Sequence, residues 1–180
     1  MTQTPQPYFD LELFLRTAGE TRIGGKETDE CLLFWERWSA SLFCKTVSAQ
    51  GRNFLAVWLG EDVEQTVDAA WDESPSRGFL LNALAQTLCM CAVHEHLPEI
   101  EEAGCAPVPA PDPDLARALT EAGLPARAPA RMDGEPEGGL LFARRYAVVT
   151  RTPFSGACDV CALRASCPRA GGNDSVIEFG

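Results

Sequence analysis

The stretch Ser41-Leu42-Phe43-Cys44-Lys45-Thr46-Val47-Ser48-Ala49-Gln50-Gly51-Arg52-Asn53-Phe54-Leu55-Ala56-Val57-Trp58-Leu59-Gly60 decides the fold. Ser41–Ser48 and Asn53–Leu59 are rich in β-branched and aromatic residues, and Ala49-Gln50-Gly51-Arg52 lies between them. Two such runs around a short glycine-containing loop predict a β-hairpin. Side chains alternate across a strand, so Phe54, Ala56 and Trp58 share one face and Leu55, Val57 and Leu59 the other. Both faces are apolar, which predicts a hairpin covered on both sides rather than one lying at the surface.

Working outward, Val63, Val67, Ala70 and Trp71 fall on one stripe of a helix that opens with Glu61 and Asp62 near its positive end. Ser74-Pro75-Ser76 breaks it. Residues 77–96 form the longest helix candidate, with an apolar stripe broad enough for a central core helix, and Pro98 ends it. A short acidic turn then leads to Gly104-Cys105. Upstream, residues 9–18 predict a helix closed by Gly19, while residues 29–38 are so densely apolar that helix and buried strand are not separated by period. Between them, Gly19 to Lys26 imitates a phosphate-binding loop. The first glycine is one residue out of register, and Glu27 stands where a hydroxyl should hold magnesium, so the segment reads as a polar turn.

Residues 106–113 form a stiff, proline-rich connector. A short helix follows, with Asp112 as its N-cap, Pro113 at its first position and Gly123 as its stop. Residues 124–139 read as an exposed loop, and Leu140–Phe154 as a strand running into a cysteine-rich segment, 155–170. The expectation is one α+β domain over residues 1–180: a small antiparallel sheet, made of hairpin 41–59 plus a strand near 140–152, packed with several helices, with a C-terminal cysteine-ligated metal knuckle.

The net charge of -11 argues against a nucleic-acid partner, because that affinity comes from Lys and Arg neutralising phosphates. It argues equally against an anionic membrane surface and permits a basic protein partner. No basic segment followed by an apolar run opens the chain, and no run reaches the length of a membrane span, so a cytoplasmic protein is expected. Eight cysteines in a reducing compartment point to metal or redox chemistry rather than a disulfide framework.

Three of them form Cys158-Asp159-Val160-Cys161-Ala162-Leu163-Arg164-Ala165-Ser166-Cys167-Pro168, a C-x2-C-x5-C pattern followed by proline. Thiols at this spacing can be aimed at one centre. Arg164 and Arg169 are near enough in sequence to offset thiolate charge, and Val160, Ala162, Leu163 and Ala165 can supply an apolar lining. The string CDVCALRASCP resembles the iron–sulfur motifs of RecB-like nucleases and endonuclease III-type DNA glycosylases, and in part the auxiliary cluster motifs of SPASM-type radical enzymes. The resemblance covers about ten residues and implies that Cys158, Cys161 and Cys167 are cluster ligands. It does not extend to those families' chemistry. The residues two before Lys26 and Lys45 are Gly24 and Phe43, so the nucleases' acidic-x-Lys pair is absent; Arg151 stands where the glycosylases carry a further cysteine; and the radical C-x3-C-x2-C motif is missing.

A closed four-ligand site needs one more group. Cys105, after a glycine on a loop, is the first choice; Cys89, Cys91 and His94 are the second, Cys91 and His94 being three apart on one helix face. Against this, Cys89 and Cys91 suit ordinary core packing, as do Cys31 and Cys44, and His94 and His96 suit a solvated helix end. The spacing and the trailing proline favour an iron–sulfur cluster, of the [4Fe-4S] type, over zinc, whose sites usually pair two C-x2-C knuckles or one with two histidines. Three functions compete: an iron–sulfur protein with a redox or electron-transfer role for a protein partner, a non-enzymatic module stapled by zinc or a cluster, and a thiol–disulfide oxidoreductase using Cys158 and Cys161. Adjacent carboxylates such as Asp72/Glu73 and Glu101/Glu102 are what an acidic chain supplies by chance, so no catalytic residue is assigned.

Overall fold

Two successive residues with positive φ, Gln50 at 50° and Gly51 at 71°, reverse the chain between strands β1 (Leu42–Ala49) and β2 (Arg52–Leu59). That two-residue turn matches the right-handed twist of the strands it joins, and it sets the register from Ala49 opposite Arg52 to Leu42 opposite Leu59. The computed structural model describes residues 6–129 and 139–167. In it β2 is the centre of a three-stranded antiparallel sheet in the order β1-β2-β5, β5 being Ala147–Thr152.

The two apolar faces of β2 bury into two different cores. Leu55, Val57 and Leu59 join the larger one, against helices α1 (Leu11–Ala18), α2 (Gly25–Ser39), α3 (Glu61–Glu73) and α4 (Pro75–His96). Phe54, Ala56 and Trp58 join the smaller one, against Leu115, Ala116 and Leu119 of α6 (Pro113–Ala122). Trp58 also stacks on Phe43 at 5.4 Å between ring centroids. The sheet is therefore a middle layer, as its two-sided apolar sequence requires.

Helix α4 is the centre of the larger core. Eleven of its 22 residues are buried, and they are distributed around the helix rather than along one stripe, the pattern of a helix enclosed by protein. Gly78 lets α3 approach it: a Cβ there would lie 2.3 Å from Trp71 Cδ2, so the indole lies flat against the glycine. At the other end Tyr146 ties the entry of β5 to α4, its hydroxyl donating to Asn82 Oδ1 at 3.0 Å and its carbonyl accepting from Cys89 Sγ at 3.7 Å. Thr87, fully buried, is satisfied by donating to Ala83 O at 2.8 Å.

The dense apolar run 29–38 is helical, within α2, with Cys31, Trp35 and Trp38 turned inward. Two local expectations are corrected. The acidic stretch before Gly104 is not a turn but helix α5 (Pro98–Ala103), started by Pro98 and anchored by buried Ile100. The strand expected over 140–152 is two pieces, β4 (Leu141–Phe142) and β5. β4 pairs not with the main sheet but with β3 (Ala126–Arg127), while Arg144 and Arg145 between them turn to Glu61 and Asp68 of α3. The charges at 144–145 are held by carboxylates on α3, which interrupts the alternation. No helix among the described residues is long and apolar enough to cross a membrane.

Candidate functional site

The end of β5 delivers the chain directly to the cysteines. Phe154 packs against the larger core, and Gly156, at φ 74°, makes a left-handed step that a side chain would strain. Arg151 braces this corner by donating to Gly156 O at 2.5 Å. A 3-10 turn follows over Ala157–Val160, with Ala157 buried beneath it, and a second over Arg164–Ser166. Backbone bonds then step through the segment three residues at a time: Cys161 N donates to Cys158 O at 3.3 Å, Arg164 N to Cys161 O at 3.2 Å, and Cys167 N to Arg164 O at 3.3 Å. The backbone is extended at Cys161 and Cys167, so these are two separate turns rather than one helix, and residues 158, 161, 164 and 167 all face one cavity.

Cys105 reaches this place from the other direction. It follows Gly104, whose left-handed φ of 60° closes α5. The connector beyond it runs antiparallel to the cysteine segment through a bridge between Pro109 and Cys161. Ala110 N donates to Val160 O at 2.9 Å and Ala162 N to Val108 O at 2.8 Å. Proline at 107, 109 and 111 keeps the connector extended, leaving the intervening residues to make these bonds.

The result is a cavity of about 240 Å³ lined by Cys105, Cys158, Cys161 and Cys167 together. Ala103, Pro107 and Phe154 supply apolar wall, and among the described residues Arg164 is the one Lys, Arg, Asp or Glu on it. Cys105 and Cys158 are exposed, Cys161 and Cys167 half-buried, so the cavity lies at the surface. Arg164 Nη1 donates to Asp159 Oδ1 at 2.8 Å. Among the described residues no group of three or more His, Cys, Asp or Glu side chains is disposed to hold a metal ion.

The second-choice ligands lie elsewhere. Cys89 and Cys91 are buried in the larger core, His94 is half-buried near the end of α4, and none of the three lines the cavity. Burial pushes the Cys91 thiol up to about 11 and raises Cys89 further; burial, reinforced by Glu30 and Glu27, raises Cys31 to about 12. These are core thiols held in the protonated form. Cys44 packs at the edge of the larger core, where burial pushes its thiol up to about 11. It is only half-buried on β1, with Sγ 3.5 Å from His96 Nε2. Arg169 and Pro168 lie outside the described residues.

Arg164, which the sequence put near enough to offset thiolate charge, lies on the cavity wall. The x5 gap of C-x2-C-x5-C is two three-residue steps, and Arg164 is the residue between them. Phe154, Pro107 and Ala103 carry no sequence signal for this role, because their position depends on how the connector meets the end of β5. No family model matches this chain, and no curated protein or solved structure matches it.

Proposed function

We propose that this protein binds an iron–sulfur cluster, of the [4Fe-4S] type, through Cys105, Cys158, Cys161 and Cys167, and uses it to exchange electrons with a protein partner. One observation carries the reading: four cysteines from two segments far apart in sequence line one cavity. Cys31, Cys89 and Cys91, by contrast, are packed within the larger core and do not line that cavity. A single zinc ion draws its sulfurs to bonds of about 2.3 Å, whereas a cluster spreads four thiolates over separate irons. The C-x2-C-x5-C spacing and the trailing proline favour the larger group. The exposure of Cys105 and Cys158 favours electron exchange, since a cluster near the surface is within reach of a docked partner. With a net charge of -11, a basic partner is the favoured kind. The same reading suits the cytoplasm, where thiols stay reduced.

Anaerobic purification followed by absorption spectroscopy and iron, sulfide and zinc analysis tests it. Brown protein with stoichiometric iron and sulfide is the expected result; colourless protein with one zinc, or none, overturns it. A second reading, a purely structural staple, draws on the two backbone bonds that tie the connector to the cysteine segment. The reduction potential separates the two, because a staple need not change oxidation state at physiological potentials.

A further inference from the structure

Three-residue backbone bonds connect four positions of the cysteine segment, and one of the four is not cysteine. Backbone bonds link 161 to 158, 164 to 161 and 167 to 164, and all four of these residues line the cavity. The pattern is Cys, Cys, Arg, Cys, with the fourth thiol supplied by Cys105 from the connector. An arginine thus stands among the thiols without being able to ligate, and among the described residues it is the one Lys, Arg, Asp or Glu on the wall. Its guanidinium is held at the rim by Asp159, which lies between Cys158 and Cys161, at 2.8 Å.

We infer that Arg164 sets the reduction potential of the cluster and that Asp159 moderates it; this rests on the cluster reading above. Four thiolates around the [4Fe-4S] core leave a net negative charge, and one-electron reduction adds another. A permanent positive charge facing that centre stabilises the reduced state more than the oxidised one and so raises the potential, net charge being among the quantities that set it. Asp159 opposes this in two ways: its own charge disfavours reduction, and it holds the guanidinium to one side. Both partners are half or more exposed, so solvent screens the effect and the shift is modest.

The test is an anaerobic potentiometric titration of the purified protein, with dithionite as electron donor and ferricyanide as acceptor, followed by absorption. Arg164→Gln is expected to lower the midpoint potential, Arg164→Lys to keep most of the wild-type value, and Asp159→Asn to raise it. A structural role alone would not give opposite shifts for two partners of one ion pair. Arg164→Gln and Asp159→Asn proteins with full iron and sulfide and an unchanged potential overturn the inference while leaving the cluster reading intact. Wild-type protein without iron and sulfide overturns both. The placement of residue 164 has its own check. In a Cys105→Ser background, Arg164→Cys is expected to restore cluster content by presenting a thiol from that position; no gain in iron and sulfide overturns the claim that residue 164 faces the cluster.

Discussion

Two sets of cysteines in this chain differ in almost every physical respect. Cys31 of α2 and Cys89 and Cys91 of α4 sit within the larger core, protonated and packed as small apolar groups. Cys105, Cys158, Cys161 and Cys167 sit where an extended connector meets two 3-10 turns, and they share one surface cavity. The first set is positioned by helix periodicity and held by burial. The second is positioned by backbone bonds between segments with little core of their own. The contrast teaches that thiol chemistry here follows backbone setting rather than local cysteine density, since Cys89 and Cys91 are as close in sequence as any pair in the chain.

The largest effect expected is on cofactor content. Cys161→Ser should reduce iron and sulfide per chain nearly to zero, whereas Cys91→Ala should leave both at the wild-type level. Cys161 is the central test because it carries the bridge to Pro109 as well as a thiol. Loss of iron in Cys91→Ala without loss of fold would erase the distinction between the two sets.

Next in size is the core that holds the first set. Leu84 of α4 is fully buried, and Leu84→Ala should cost about 2–5 kcal/mol of unfolding free energy in a urea titration. A value under about 1 kcal/mol would mean that α4 is not the packed centre described above.

Gly156→Ala separates the regions in the opposite direction. The residue is held at φ 74°, and an added Cβ would lie 2.6 Å from Arg151 Nη1. A residue with a side chain costs about 1–3 kcal/mol in such a conformation, and the cost falls at the start of the cysteine segment rather than in the core. Cluster content is expected to fall more than global stability does. Full cluster content would show that the corner tolerates a side chain.

Much of the fold was legible because two signals agreed. The hairpin showed β-branched runs, a glycine turn and apolar residues on both faces, and each of these follows from short-range geometry. The α6 cap, with Asp112 Oδ1 accepting from Leu115 N at 2.7 Å, was equally local. The break between β4 and β5 was not legible. It depends on Arg145 finding Asp68, 77 residues away in sequence. At the site, the three clustered cysteines and Cys105 were readable from spacing and from a glycine-preceded loop position. The apolar wall and the Cys44–His96 approach were not, because each is a meeting of elements distant in the chain. Arg164 lay between these cases: its nearness to the thiols was readable from the sequence, but its place on the cavity wall depends on how the two turns meet the connector.

The smallest effect is the alkaline limb of stability, to which the buried Cys31 thiol contributes. Burial raises the Cys31 thiol from an ordinary value near 9 to about 12. Below pH 9 the thiol is protonated in folded and unfolded chains alike, and its contribution is fully present. As pH rises from 9 towards 12, the unfolded chain releases a proton that the folded chain keeps, so unfolding becomes progressively easier. Other groups that titrate in this range add to the same slope. The informative quantity is therefore the difference between wild type and Cys31→Ala, which removes this one titration whatever it does to baseline stability. The denaturant midpoint of Cys31→Ala should fall less steeply with pH across that window than the wild-type midpoint does. Equal slopes for wild type and Cys31→Ala would mean that the Cys31 thiol is not held protonated by the core.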